Sequence, residues 1–89
     1  MVWTIELTDT ATRQLAKLDK AVAQRIRKFL QQRIAPLKDP RTLGQKLHGK
    51  TLGEFWKYRV GDYRIITRIE DDRLVVLVIQ IGHRSEICR

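Results

Sequence analysis

One stretch, RLVVLVIQI at residues 73–81, constrains what this chain can fold into more than any other. Seven of its nine residues are Leu, Val or Ile. A continuous apolar run of this length, rich in β-branched side chains, suits a central strand covered on both sides. Such a strand needs neighbours, and the preceding residues provide two. EFWKYRV (54–60) and DYRIITRIE (62–70) read as strands joined through Gly61-Asp62, a short turn in which glycine takes positive φ without steric cost. Asp71-Asp72 makes the next turn into the apolar run.

The N-terminal half has different periods. VWTIELT (2–8) alternates as a first strand, with Val2, Thr4 and Glu6 on one side and Trp3, Ile5 and Leu7 on the other. Thr8 and Asp9 both qualify as helix N-caps. Ala11, Leu15, Leu18, Val22, Ile26, Phe29, Leu30 and Ile34 then recur at helical spacing as one apolar stripe. Asp19 can cap a second helix, giving a helical hairpin of 9–18 and 20–35; one long bent helix is the alternative. Pro36 ends the pattern, because it disfavours α geometry at Ala35 and lacks a donor. Residues 36–53 hold both prolines and three of the five glycines, and read as a long connection, functional or mobile. The order β-α-α-β-β-β predicts an α+β fold: a mostly antiparallel sheet with a helical hairpin packed on one face.

Eighty-nine residues are expected to form one domain, 1–89. No run of about 18 apolar residues is present to span a membrane, and the strand-like start, with Glu6 in it, does not look like a signal peptide. The single cysteine, Cys88, excludes an internal disulfide and fits a reducing cytoplasm. His48, His83 and Cys88 lack metal-ligand spacing, so neither a metal site nor another cofactor is expected. Glycine-rich phosphate loops and nucleophile-elbow motifs are missing as well.

The net charge of +8 favours a polyanionic partner. The excess is local: residues 41–68 hold seven cations (Arg41, Lys46, Lys50, Lys57, Arg59, Arg64 and Arg68) against Glu54 and Asp62. Strand alternation puts Phe55, Lys57 and Arg59 on one face, and Arg64, Ile66 and Arg68 on one face of the next strand. If the apolar sets meet the helices, four cations share the opposite face. A merely solvated face would mix signs, because like charges directly opposite are destabilising. A polyanion site is therefore the preferred reading, and the cluster lies away from residues 9–35, where a helix-turn-helix would have to be.

KLHGKTLGEFWKYRVGDYRIITRIEDDRLVVLVIQIGHRSEI, after a β-α-α start, resembles the RelE/ParE superfamily of bacterial toxin–antitoxin toxins. The shared features are the KL.G segment, the aromatic and basic strand, RVGDYRI, the acidic turn and GHR.E, and they lean to the RelE branch. The resemblance covers the whole chain and implies the RelE-like microbial RNase fold. It also implies a metal-free mRNA endoribonuclease acting in the ribosomal A site, where the ribose 2′-hydroxyl attacks the adjacent phosphate. The family's catalytic cluster falls on Lys57, Arg64 and Arg84, with His83 as a candidate for proton transfer. Arg41, Lys46, Lys50, Phe55, Arg59 and Arg68 are candidates for RNA binding, with Phe55 as a stacking surface. A RelB-like antitoxin is the implied partner. Cys88 stands where RelE has a functional tyrosine. A ParE-like toxin that inhibits gyrase and a non-catalytic basic RNA-binding module are the alternatives.

Overall fold

The computed structural model describes residues 2–47 and 55–87. Strand β1 (Thr4–Leu7) leads through Thr8 into helix α1 (Asp9–Lys17), and Thr8 is its N-cap, accepting from the Ala11 N–H at 3.1 Å. Leu18 leaves helical geometry (ψ 156°), and Asp19 caps helix α2 (Lys20–Phe29) through the Ala21 N–H. The helical hairpin is thus realised, because an extended residue separates two independently capped helices. A π turn, Leu30–Ile34, prolongs α2.

Pro36 does end the helical stretch, yet Ala35 keeps α geometry (φ −55°, ψ −41°), contrary to the sequence expectation. Its N–H donates to the Leu30 carbonyl and its carbonyl accepts from the Trp3 N–H at 2.8 Å, so tertiary bonding to the residue before β1 overrides the pre-proline preference.

The connection that follows is less open than its composition suggests. It contains a 3₁₀ turn, Pro40–Thr42, and a two-residue strand β2 (Gln45–Lys46). Three further strands complete the sheet: β3 (Phe55–Val60), β4 (Tyr63–Glu70) and β5 (Val75–His83). The short helix α3 (Arg84–Ile87) occupies what reads in the sequence as a tail. Strand order is β1-β5-β4-β3-β2, with β1 parallel to β5 and the other pairs antiparallel. Gly61 takes φ +59° in the two-residue β3–β4 turn, the conformation that its place there requires.

Helices α1 and α2 cover one sheet face. Leu15, Ile26, Leu30 and Ile34 pack there against Tyr58, Val60, Ile65, Val76, Val78 and Ile81. The core positions on β5 change phase along the strand, because a β-bulge shifts the register between Ile66↔Gln80 and Thr67↔Val78. The groups freed there are recovered by α1 and its cap. Thr8 Oγ1 donates to the Ile79 carbonyl at 3.0 Å, and Gln14 Oε1 accepts from the Ile81 N–H at 2.6 Å. A continuous apolar run tolerates this slip, since either phase presents Val or Ile to the core.

Candidate nucleic-acid interface

The face of the sheet turned away from α1 and α2 collects the cations. Register places Arg59 directly opposite Arg64, Lys57 opposite Ile66, and Phe55 opposite Arg68. These are three successive rungs, so Arg68 lies about 13 Å along the strand from Arg64. Beyond β4 the same face continues with Gly82, Gln80 and Leu77 of β5. Gly82 leaves the space beside Arg64 without a side chain.

Among the described residues, Arg59, Arg64 and Arg68 form no ion pair. The acids at the far end of this face, Glu6 and Glu70, are bound instead by Arg73, and Glu70 at 2.6 Å holds that guanidinium's pKa above its ordinary value. Arg64 is half-buried. Its Nη1 donates to the Tyr63 carbonyl at a long 3.5 Å, and its Nε is buried without a partner. An unmet donor in such a place costs about 1–3 kcal/mol.

The other sequence candidates take different positions. Arg41 does not join the face. Its guanidinium is bidentate to Asp71 (2.6 and 3.1 Å), bonds Asp39 at 3.3 Å and sits 6.0 Å from the Trp56 ring centre. Asp71 holds the Arg41 pKa up, and Arg41 in turn holds the Asp71 carboxyl below its usual range. Lys46 pairs with Trp56 and so projects from the opposite face to Lys57. Lys50, His48 and Cys88 lie outside the described residues.

His83, the sequence candidate for proton transfer, does not share the sheet face of Lys57 and Arg64. It pairs with Tyr63, on the helix side of the sheet, because the bulge fixes the phase of β5. Its ring lies edge-on to Tyr63 at 5.5 Å, and Nδ1 accepts from the Ser85 N–H at 3.2 Å, 2.9 Å from Ser85 Oγ. This is an N-cap for α3. Arg84 starts α3 with an exposed side chain, and its N–H donates to the Asp62 carbonyl at 2.8 Å, beside the turn that follows Arg59.

A cleft of about 390 Å³ opens where β2, only two residues long, leaves the outer edge of β3 uncovered. Lys57, Arg59 and Arg64 line one wall. The other side brings in residues that sequence reasoning passed over: Arg33 from the π turn, Phe29 from α2, and Leu43 and Gln45 from the connection. Tyr58 forms the floor. It is buried, its hydroxyl donates to the Pro40 carbonyl at 2.7 Å, and burial pushes its pKa up to about 12. Gly44 passes so close beneath that ring that a Cβ there would lie 3.0 Å from two of its carbons. Arg33 looks like part of a solvated helix face in the sequence. It is brought beside β3 by the packing of α2 and its π turn on that strand, as the edge-on contact of Phe29 with Tyr58 shows.

A family model for the ParE toxin of type II toxin–antitoxin systems matches residues 5–88. The chain belongs to this toxin family. It is 30% identical over 89 residues to the toxin RelG of Mycobacterium tuberculosis, covering 100% of this chain and 99% of that protein. It is 29% identical over 85 residues to the mRNA interferase toxin RelE of Escherichia coli, covering 96% of this chain and 86% of that one. Among solved structures, the toxin–antitoxin complex RelBE2 of M. tuberculosis superposes with a TM-score of 0.84 at 27% identity, over 97% of this chain and 95% of the other. A free E. coli RelE mutant, at 24% identity, shares the fold with a TM-score of 0.76, over 98% and 88% of the two chains. The α+β fold expected from the sequence is thus that of the RelE toxins, and the chain is a type II toxin homologous to RelE mRNA interferases.

Proposed function

We propose that this toxin is a ribosome-dependent endoribonuclease that cuts messenger RNA in the A site and so arrests translation. The observation that carries the reading is the Arg59/Arg64 rung with Lys57 beside it, on a sheet face whose acids are occupied elsewhere. In the reaction, the ribose 2′-hydroxyl gives up its proton and its oxygen bonds the adjacent phosphorus. The bond to the 5′-oxygen breaks and that oxygen takes a proton, leaving a 2′,3′-cyclic phosphate and a 5′-hydroxyl. Negative charge builds on the phosphate oxygens, where fixed guanidinium and ammonium groups lower the barrier. Arg64, with Arg84 from the start of α3, clamps those oxygens, and arginine offers them two parallel donors. Lys57 stabilises the attacking oxygen. Phe55 and Arg68, two rungs away, carry the flanking strand by stacking and charge.

The similarity to mRNA interferase RelE supports the chemistry, and the RelB–RelE complexes among its structural relatives support a cognate RelB-like antitoxin. Such a partner covers the cationic face with acidic side chains. No helix among the described residues is long and apolar enough to cross a membrane, and action on ribosomes places the toxin in the cytoplasm.

The test is primer extension on a message translated in the presence of purified toxin. Wild type gives cuts phased to the A site, and Arg64→Ala and Arg84→Ala lose them while still binding the antitoxin. Loss of an oriented charge stabiliser costs about a hundredfold or more in rate. An intact message accompanied by double-strand DNA breaks would select gyrase inhibition instead.

A further inference from the structure

We infer that the cleft at the open edge of β3 seats one nucleotide of the single-stranded RNA next to the cleaved linkage, with Arg33 as its phosphate ligand. The inference rests on the RNase reading and extends it to a residue outside the sheet. Three observations converge. First, the cleft shares Lys57, Arg59 and Arg64 with the cationic face, so a strand held at Arg64 has a continuous basic path into it. Second, Arg33 adds a guanidinium from the helical layer to the lining of the cleft, and it forms no ion pair among the described residues. Third, Leu43 is 39% exposed at the rim, one of two large apolar side chains so exposed among the described residues, with the Gln45 amide close by.

A nucleotide presents this combination of needs: an anion for the cations, an apolar base face for Leu43, and polar base edges for an amide. The size fits as well, since about 390 Å³ lies in the lower range of small-ligand sites. The floor is rigid, because Tyr58 is pinned to Pro40 and packed over Gly44. Recognition through unstacked single-stranded bases is the usual mode for RNA.

The experiment measures binding of a six-nucleotide RNA, with a 2′-deoxy sugar at the cut so that it stays intact, to antitoxin-free toxin across a salt series. Arg33→Ala weakens binding about tenfold at low salt, as expected for one charge-assisted bond. It also reduces the slope of log K against log salt by about 0.7, the contribution of one phosphate contact on a single strand. Arg33→Lys restores the slope. Leu43→Ala weakens binding with the slope unchanged, because it removes apolar contact alone. Arg13→Ala, on the exposed side of α1, serves as the control and changes neither quantity beyond general charge screening.

An Arg33→Ala curve that coincides with the Arg13→Ala curve overturns the inference. So does an Arg33→Ala protein that binds RNA normally and loses only its antitoxin affinity, which would make the cleft a protein-docking surface. Primer extension with wild type reports separately on the RNase reading. Cleavage by wild type with unchanged Arg33→Ala binding defeats the cleft alone, and failure of wild type to cut defeats the parent reading.

Discussion

A histidine whose Nδ1 already accepts a backbone N–H has one ring nitrogen left for chemistry, and in His83 that nitrogen belongs to a ring on the Tyr63 side of the sheet. Its evident work is to cap α3 and so to fix where Arg84 begins. Capping requires only an acceptor of the right reach, and asparagine is among the best N-cap residues. His83→Asn is therefore expected to keep most of the cleavage activity, whereas His83→Ala loses the cap and about 0.5–2 kcal/mol of local stability. A displacement of Arg84 by even 1 Å can cost about a hundredfold in rate. Single-turnover cleavage of a ribosome-bound message distinguishes the roles. Equal loss in both variants would return the imidazole to proton transfer.

At the level of elements, the bulge on β5 decides the composition of the site. It sends Gly82 and Gln80 to the cationic face and keeps His83 and Ile81 on the other. Gln14 holds it from α1 by accepting the Ile81 N–H. Gln14→Leu leaves that N–H unmet, which costs about 1–3 kcal/mol, and it frees the C-terminal end of β5 to slip. Lower melting temperature together with faster amide exchange at Ile81–Arg84 is expected; unchanged exchange there would show that the bulge holds without α1. This element also marks the limit of what the sequence discloses. Four of the five strands, the helix caps at Thr8 and Asp19, and the shared face of Lys57, Arg59, Arg64 and Arg68 follow from local periodicity and turn chemistry, because side chains alternate without interruption along β3 and β4; the two-residue β2 carries no such signal. On β5 the run of Val, Leu and Ile is compatible with either phase, so the side taken by His83 is invisible until Thr8 and Gln14 select it. Arg41 is similar: its charge is plain, but its tie to Asp71 joins residues thirty positions apart. Arg33 becomes a neighbour of the sheet through the packing of α2 on β3, and Leu43 through the path of the connection.

Considered as a whole molecule, the toxin concentrates an excess of +8 and places two arginines opposite one another on a single rung. Directly opposed like charges destabilise a sheet by about 0.2–1 kcal/mol, and the buried unmet Nε of Arg64 adds to that cost. Salt screens the repulsion, because the Debye length falls from about 30 Å at 0.01 M to about 10 Å at 0.1 M. The melting temperature of the isolated toxin is therefore expected to climb over that interval. Arg64→Met keeps an aliphatic stem in place while removing both the charge and the orphan donor. It should melt higher than wild type, by about 4–8 °C for each kcal/mol recovered, and its melting temperature should depend less on salt. The same variant should no longer arrest translation, which would make the site's strain and its activity properties of one side chain. A wild-type melting temperature indifferent to salt, or an Arg64→Met protein that melts lower, would mean that the rung is compensated within the fold, and the face would lose its standing as a cradle for phosphate.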